Sequence, residues 1–340
     1  MQAFSIDKPD HASIITMDAP DSLPADHVLL GIKTVGICGT DLSTYRGVNP
    51  LVTYPRVPGH EIAAVIEEVG SEVPDTFKVG DAVTVYPYTD CGECASCKKN
   101  RHHACEHNAT LGVQRPGAFT EYITQPWGKL ISAEGLNYSE TALIEPMAVG
   151  FHAVERGRTS DQDTVVVLGC GAIGLGCIAG AAARRARVVA VDLDDHKLAV
   201  AKAAGATEFI NTKNASLVDE VLALTNGLGA DVIIEAVGSP ITFVAAIDAV
   251  CFTGRVVYIG YAKTHVTYDT AQFVKKELDI MGSRNATRQN FEEVIVAIRS
   301  GNVPLEQIVT LTVPLADAPA TLEKWDKDGA DIVKIHVEIA

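Results

Sequence analysis

The sequence predicts a two-domain α/β protein, in which a mostly β domain is followed by a doubly wound parallel sheet. Short apolar runs broken by Gly, Pro and Asp occupy residues 28–125, a pattern typical of strands joined by turns. After residue 163, strand-length apolar runs alternate with helix-length segments, which predicts repeated βαβ units. A length of 340 residues suits two domains of ordinary size.

The first region is predicted to contain strands at residues 28–32, 63–66 and 82–86, with few and short helices. A helix is predicted over residues 140–158, between the two regions. Six apolar runs of the second region predict parallel strands, at residues 164–168, 187–191, 208–210, 231–235, 255–259 and 278–281. Such a sheet, with helices on both faces, is typical of a dinucleotide-binding domain.

The C-terminal segment departs from the parallel repeat, because one helix at residues 316–327 is followed by a strand at 332–337. We expect this segment to return to the first domain. The predicted division is therefore 1–145 with 290–340 for the first domain and 146–289 for the second.

Composition predicts an ordinary globular protein, with 47% hydrophobic and 21% charged residues. A net charge of −15 disfavours nucleic acid and anionic membranes as partners. The N-terminus lacks the basic and apolar segments of a signal peptide, and no apolar run reaches 18 residues. We therefore expect a cytoplasmic protein with a small-molecule partner, in which the eight cysteines serve metal binding or burial rather than disulfides.

Four cysteines, Cys91, Cys94, Cys97 and Cys105, lie within fifteen residues. Closely spaced thiols can surround one zinc ion tetrahedrally, and a closed site of four sulfurs is structural. An iron–sulfur cluster is the alternative, because ferredoxin-type runs also space cysteines by two residues. The fourth cysteine lies far from that pattern and no proline follows it, which favours a structural zinc lobe at about residues 88–108.

A glycine-rich loop, containing Gly169, Gly171 and Gly174, follows a predicted strand and opens a predicted helix. Such a loop lets a pyrophosphate group approach the N-terminus of a helix closely. Asp192 ends the next strand, 18 residues after Gly174. Its carboxylate can accept hydrogen bonds from a ribose and would repel a 2′-phosphate, so NAD is favoured over NADP.

Cys38, His60 and Glu61 form a second, dispersed set of metal-type residues. A thiolate and an imidazole are donors that suit a catalytic zinc ion, which keeps one position open for water or substrate. Alone, this set is weak evidence, because buried thiols and surface histidines are common.

The order of these motifs resembles that of the zinc-dependent medium-chain dehydrogenases, over essentially the whole chain. The motifs are the glycine-flanked Cys38, Gly59-His60-Glu61, the four cysteines, Glu145-Pro146 and the glycine loop. The resemblance implies a GroES-like catalytic domain with a zinc lobe, a Rossmann domain, two zinc ions per chain and NAD. It also implies a homo-oligomer, either a dimer or a tetramer.

The resemblance further assigns roles around the catalytic zinc. Glu145 stands before a proline, as in polyol dehydrogenases, which implies that it binds the metal directly or through water. Glu61 would alternate with water as a ligand, and the Thr40 hydroxyl would carry the substrate proton away. Thr40 could instead cap a helix beginning at Asp41. Ser43 stands where many relatives have a histidine that passes the proton onward, so the end of that relay is unassigned.

The resemblance also implies which residues contact the cofactor and the substrate. The residues implied for the cofactor, besides the glycine loop and Asp192, are Ile173, Lys197, Ile259, Gly260, Tyr261, Ser283, Arg284 and Asn285. Arg284 and Glu145 are implied for the substrate.

Residues 281–287 are most similar to the L-gulonate and L-galactonate 5-dehydrogenases, which predicts oxidation of a sugar acid at C5. Arg46, Arg115 and Arg284 are candidates for holding its carboxylate. Polyol, threonine and sugar-phosphate oxidation stay open. Two other classes are less favoured: a zinc-ribbon module would not need a parallel sheet, and a nucleotide-binding regulator would lack catalytic ligands.

Overall fold

The chain folds into two units, and its C-terminal segment returns to the first. The computed structural model describes residues 1–301, 303–329 and 331–339. The first unit is Met1–Glu145 with Ile308–Ala340, and the second is Pro146–Gln307. The second unit therefore extends further along the chain than the predicted 146–289.

The strands and helices below are numbered in chain order. The strands are β1 Gln2–Lys8, β2 His11–Thr16, β3 His27–Ile37, β4 Glu61–Val69, β5 Ala82–Val85, β6 Tyr122–Pro126, β7 Leu130–Ser132, β8 Thr164–Leu168, β9 Arg187–Asp192, β10 Glu208–Asn211, β11 Ala230–Glu235, β12 Val250–Tyr258, β13 Asp279–Gly282, β14 Val309–Pro314 and β15 Lys334–Glu338. The α-helices are α1 Gly39–Tyr45, α2 Tyr138–Ala142, α3 Ile144–Arg156, α4 Ala172–Ala183, α5 Asp195–Ala203, α6 Leu217–Leu224, α7 Pro240–Ala249, α8 Ala271–Lys275, α9 Arg288–Arg299, α10 Leu305–Ile308 and α11 Ala318–Lys327. In the described part of the chain, no helix is long and apolar enough to cross a membrane.

A sheet in the order β14-β15-β3-β4-β5-β7 forms the centre of the first unit, and β6 also pairs with β3. Its long strand β3 buries Val28, Leu30 and Ile32 on alternate positions, as a half-buried strand requires. The C-terminal strand β15 runs antiparallel to β3, with Ile335 opposite Ile37. Residues from both ends of the sequence therefore share one core.

The second unit contains a parallel sheet in the order β10-β9-β8-β11-β12-β13. All six predicted runs are strands of this sheet, so the predicted α/β fold with a doubly wound sheet is confirmed. The central strands β8 and β11 are almost continuously buried, which is expected when helices cover both faces.

The helix predicted over residues 140–158 is wrong as a single element, because the structure has α2 and α3 there. Asn137 caps α2 and forms a capping box with Glu140. The second helix restarts at Ile144, which places Pro146 in its first turn. A proline in the interior of one long helix would remove a backbone hydrogen bond and clash with the preceding turn.

Helices α3 and α4 approach each other at glycines. A Cβ atom on Gly150 would lie 2.4 Å from the Cys177 nitrogen and 2.5 Å from the Gly176 carbonyl carbon. Backbone atoms at these distances cannot move aside independently of their helix. We therefore expect Gly150→Ala to lower the free energy of unfolding by about 3 kcal/mol, measured by urea unfolding.

Gly282→Ala is the matched control, because a Cβ there would meet no atom within 4 Å. Its unfolding free energy should stay within about 0.5 kcal/mol of the parent value. Equal effects of the two substitutions would contradict the tight helix contact.

Candidate metal centres and nucleotide site

The four cysteines of the lobe meet in one cluster between β5 and β6. The Cys94 sulfur lies 3.8 Å from that of Cys105, which lies 3.6 Å from that of Cys91. All four sulfurs, including that of Cys97, lie within 4.8 Å of one another, and none forms a disulfide. A tetrahedral zinc ion with bonds of about 2.3 Å has sulfur–sulfur edges of about 3.8 Å. The cluster therefore fits a closed zinc site.

Local hydrogen bonds prepare this cluster for a metal. Bonds from Ser96 and from backbone N–H groups lower the pKa of the Cys94 thiol to about 5. Zinc binds the thiolate form, so at neutral pH at least one sulfur is ready to bind it.

Cys38, His60 and Glu61, the dispersed set, also come together, where β3 ends and β4 begins. Cys38 follows the end of β3, and Glu61 begins β4 directly after His60. The two strands are antiparallel, with Gly36 opposite Glu61, and the ligand atoms of Cys38, His60 and Glu61 lie within 4.8 Å of one another. A Cβ atom on Gly36 would lie 1.8 Å from Glu61 Oε2, so this close pairing requires glycine.

The surroundings of His60 favour a positive charge. His60 is 5% exposed, and its Nδ1 has no hydrogen-bond partner among the described residues. Burial opposes ionisation, but the Cys38 thiol and the Glu145 and Asp41 carboxylates hold the pKa of His60 well above its ordinary value. Burial raises the pKa of Asp41 itself to about 6. A half-buried thiol beside a buried imidazole in such acidic surroundings fits a zinc ion.

Lys334 also belongs to this site, although no motif in the sequence indicates it. Its Nζ lies 2.6 and 2.7 Å from the two carboxylate oxygens of Glu61, and it also donates to the Ile37 carbonyl at 3.2 Å. Both side chains are buried, at 4% and 0% exposure. The signal available in the sequence was a lysine inside the apolar run at residues 332–337.

Glu145 stands apart from the three clustered ligand atoms. The buried hydroxyl of Tyr88 donates a short hydrogen bond to its Oε1. Burial raises the pKa of Glu145, although the charge of His60 opposes the shift. Glu145 is thus close enough to interact electrostatically with His60, while Tyr88 holds one of its oxygens. Tyr88 was also absent from the predicted site.

Thr40 lies in the first turn of α1 and is half-buried. The prediction that it might cap a helix beginning at Asp41 is wrong, because α1 begins at Gly39 and its cap is Cys38. The Asp41 carboxylate accepts a hydrogen bond from the Cys38 backbone N–H at 2.9 Å. This bond anchors the residue that carries the thiol. Ser43 is half-buried on the same helix.

His336, on β15, is expected to make the fold sensitive to acid. It is 1% exposed, and burial together with the Lys334 charge lowers its pKa from 6.5 to about 4. Between these pH values the unfolded chain takes up a proton that the folded chain does not, so stability falls as the pH falls. The expected loss at about pH 5, relative to about pH 7.5, is about 2 kcal/mol.

Urea unfolding of a His336→Gln variant at both pH values measures this contribution. The variant should lose less stability on acidification than the parent, by about that amount. His11→Gln is the control, since that side chain is 54% exposed. An identical acid loss in the parent and in His336→Gln would contradict the prediction.

The glycine loop joins β8 to α4. Gly169 has φ 94°, a conformation that glycine adopts without strain. A Cβ atom on Gly174 would lie 1.8 Å from the Gly169 carbonyl oxygen, so strand and helix pack closely there. Gly171 precedes the helix as its cap, and a Cβ on it would meet no atom within 4 Å. This open helix N-terminus fits a pyrophosphate group.

Asp192 lies at the end of β9, beside the glycine loop. Its Oδ2 accepts the Cys170 backbone N–H at 2.8 Å, and its Oδ1 accepts that of Leu193 at 2.8 Å. Burial raises the pKa of the Cys170 thiol, and the charge of Lys197, half-buried on α5, partly opposes this shift. Lys197 is therefore close to the glycine loop. The glycine loop, Asp192 and Lys197 thus lie close to one another.

The other predicted cofactor residues follow the strands of the same sheet. Ile173 is half-buried at the start of α4, and the buried Ser283 hydroxyl has no hydrogen-bond partner among the described residues. The segment after β12 contains Ile259, Gly260 and Tyr261, and the segment after β13 contains Ser283, Arg284 and Asn285. Because all these strands are parallel, the segments lie at the same end of the sheet, beyond the carboxyl ends of its strands. Open α/β sheets bind ligands there.

The two alternative arginines of the first unit have partners. Arg46 pairs with Asp326 on the surface, and Arg115 donates to the carbonyls of Ala109 and Pro87 at 3.0 and 3.3 Å. Arg284 is half-buried after β13, in the second unit.

Comparison with protein families gives two matches along the chain. Residues 24–135 match the alcohol dehydrogenase GroES-like domain. Residues 172–300 match the zinc-binding dehydrogenase family. The first match contains both groups of metal-type residues up to Cys105, and the second contains most of the nucleotide site.

Individual relatives match over nearly the full length. The chain is 33% identical to the L-galactonate-5-dehydrogenase of Escherichia coli K12, covering 92% of each protein. It is 34% identical to the sorbitol dehydrogenase of Bacillus subtilis 168, covering 99% of this chain and 97% of that protein. Among solved structures, an alcohol dehydrogenase of E. coli CFT073 complexed with NADH has a TM-score of 0.91 and 30% identity, covering 99% of both chains.

Proposed function

The chain belongs to the zinc-type alcohol dehydrogenase family, and we propose that it oxidises a secondary hydroxyl of a sugar acid to a ketone, with NAD as the hydride acceptor. The proposed substrate is L-gulonate or L-galactonate, oxidised at C5. The observation that carries the reaction class is the convergence of Cys38, His60 and Glu61 within 4.8 Å. The similarity to an L-galactonate-5-dehydrogenase supports the substrate class.

The proposed roles at the metal site follow from donor chemistry. Cys38 and His60 would hold a catalytic zinc ion, with Glu145 binding directly or through water and Glu61 alternating with water. Zinc, when bound, is a Lewis acid that makes a bound hydroxyl more acidic. Lys334 neutralises Glu61, which would keep that carboxylate from occupying the open position permanently.

The Thr40 hydroxyl is the proposed acceptor of the substrate proton, because it lies in the turn that Cys38 begins. A hydroxyl can accept one proton and donate another, so it can relay without holding a charge. Ser43, three residues further along the same helix, would extend the relay.

The proposed role of Asp192 predicts how cofactor preference can be changed. Asp192→Ala should lower kcat/KM for NAD and raise it for NADP, because a ribose acceptor and a repulsive charge are both removed. The ratio of the two values should shift by about 100-fold or more. Steady-state kinetics with each cofactor measures it, and Asp219→Ala, an exposed carboxylate at the start of α6, is the control. An unchanged ratio would refute the role of Asp192.

The substrate is tested by following NADH formation with a panel of L-gulonate, L-galactonate, sorbitol, a sugar phosphate and L-threonine. We expect the highest kcat/KM with a hexonate. Arg284→Leu should reduce activity on the hexonate more than on sorbitol, because only the hexonate has a carboxylate to pair with. Activity on sorbitol but on no hexonate would favour the second candidate, a polyol dehydrogenase, which the 34% identity to a sorbitol dehydrogenase supports.

We also propose that the protein is a homo-oligomer. Strand β13 ends the sheet order of the second unit, and an open edge with Ile280 40% exposed can pair with another strand. Light scattering should give a mass of two or four chains. A monomer at micromolar concentration would contradict this proposal.

We propose that the protein is located in the cytoplasm, a reducing compartment. All eight cysteines are free, and five of them are assigned to zinc, which binds reduced thiolates. Cell fractionation tests the location.

A further inference from the structure

Glu235, at the carboxyl end of β11, is a buried carboxylate that none of the roles above uses. Its side chain is 0% exposed, and its partners are neutral hydrogen-bond donors. A buried charge is unfavourable unless hydrogen bonds compensate for its lost hydration. The donors that Glu235 binds therefore indicate what this buried side chain does.

The side chain of Glu235 holds the turn that follows its own strand. Its Oε1 accepts the backbone N–H groups of Val237 at 3.0 Å and Gly238 at 2.8 Å, and the Thr242 hydroxyl at 2.7 Å. Bonds to a charged acceptor are stronger than those between neutral groups. Gly238 has φ 82°, a conformation that glycine adopts without strain, and the hydrogen bonds to Glu235 select it among the many open to a glycine.

Glu235 also contacts the segment that follows the neighbouring strand β12. Its carbonyl accepts the N–H groups of Ile259 at 2.9 Å and Gly260 at 3.1 Å. Its Oε2 has no partner among the described residues, and a Cβ atom on Gly260 would lie 2.5 Å from that oxygen and 2.4 Å from the Gly238 nitrogen. The turn at 236–239 and the segment at 259–261 therefore pack backbone to backbone, with Glu235 between them.

The 236–239 turn lies beside the glycine loop. A Cβ atom on Gly169 would lie 2.8 Å from Val237 Cγ2. Val237 is 52% exposed and Tyr261 is 77% exposed, so the two loops present apolar surface at the edge where open α/β sheets bind ligands.

We infer that Glu235 is a positioning residue for the cofactor: it fixes the 236–239 turn against the 259–261 segment and thereby preforms the NAD surface. This inference rests on the proposed function, which supplies NAD as the ligand. A surface that is already ordered loses less conformational entropy when NAD binds. Disordering that surface therefore weakens the affinity for NAD. Glu235 touches no reacting atom, so the chemical step is unaffected once NAD is bound.

Isothermal titration of the zinc-loaded, full-length protein with NAD tests the inference. Glu235→Ala should raise the Kd for NAD by about 30-fold, or about 2 kcal/mol at 1.4 kcal/mol per tenfold. The KM for NAD should rise similarly, while kcat at saturating NAD stays within about threefold. Glu235→Gln keeps the shape and one acceptor oxygen, so it should restore affinity to within about fivefold.

Two further variants separate positioning from general destabilisation. Ile247→Ala creates a cavity in the core of the same unit, where Ile247 is 3% exposed on α7, and it should leave the Kd for NAD unchanged. Thr242→Val removes only the hydroxyl that binds Oε1, and it should weaken NAD binding by about threefold. This mild change keeps the inference testable if Glu235→Ala does not fold.

Hydrogen exchange gives a readout that does not depend on NAD. Without nucleotide, amides in 236–239 should exchange at least about tenfold faster in Glu235→Ala than in the parent or in Ile247→Ala. Unchanged exchange, or a Kd for NAD equal to that of Ile247→Ala, would overturn the role of Glu235 and leave the proposed function standing. A parent protein that binds neither NAD nor NADP would overturn both.

Discussion

Cys38→Ser is expected to lower kcat/KM by at least about 1,000-fold, or about 4 kcal/mol of transition-state stabilisation. The serine hydroxyl is a poor ligand for zinc at neutral pH, whereas the thiolate is a strong one. The zinc content should fall from about two to about one per chain, because the cluster at Cys91–Cys105 is untouched. Elemental analysis and steady-state kinetics on the same preparation measure both effects.

Two other cysteine variants make this result specific. Cys251→Ser, in a half-buried position outside every group of metal-type residues found in the described part of the chain, should retain both zinc ions and nearly full activity. Cys97→Ser should also lose one zinc ion, but from the lobe, and its main effect should be on stability rather than on the chemical step. Normal NAD reduction by Cys38→Ser would eliminate the catalytic assignment and would favour a nucleotide-binding protein without turnover.

Apart from the dispersed Cys38, His60, Glu61 and Glu145, which are weak evidence without the family resemblance, the features that the sequence revealed are encoded locally. The four cysteines span fifteen residues, and the glycine loop sits between a strand and a helix that its own segment forms. Short chain separations bring such residues together in almost any fold of that segment. The zinc lobe and the cofactor type were therefore predictable before the topology was known.

The members of the site that the sequence did not reveal depend on tertiary pairing. Lys334 is separated from Glu61 by 273 residues, and only the pairing of β15 and β4 with opposite sides of β3 brings them together. Tyr88 reaches Glu145 across 57 residues. A lysine or a tyrosine alone carries no metal-type pattern, so its role appears only when its partner is known.

The acidic surroundings of the dispersed centre explain why a buried lysine is needed there. Asp41, Glu61 and Glu145 are all buried near His60. Three carboxylates in low dielectric repel one another, and burial raises the pKa of Asp41 and of Glu145. The Lys334 ammonium group offsets part of this negative charge, and a zinc ion held by Cys38 and His60 would offset more, so we expect the metal centre and the Lys334–Glu61 pair to stabilise each other.

Lys334→Met should be the most destabilising substitution at this site. Methionine fills the space of the lysine stem but leaves the Glu61 carboxylate buried without a cation, which costs about 3 to 5 kcal/mol. Burial opposes the ammonium charge, but Glu61 holds the pKa of Lys334 above its ordinary value of 10.5. A raised pKa of this kind contributes stability that is complete below the unfolded value, so the loss should be constant from about pH 6 to about pH 9.

The free energy of unfolding of the zinc-loaded protein in urea measures the effect of Lys334→Met. A variant of an exposed ion pair and a double variant are the controls. Lys327→Met breaks the pair between Lys327 and Glu323, whose side chains are 69% and 52% exposed, and should cost only a small fraction of the Lys334→Met loss, because solvent screens an exposed pair. Glu61→Gln combined with Lys334→Met removes both charges and should recover most of the loss, because no uncompensated charge then remains buried. If Lys334→Met costs no more than Lys327→Met, the buried Lys334–Glu61 pair does not make this contribution to stability and the prediction is wrong.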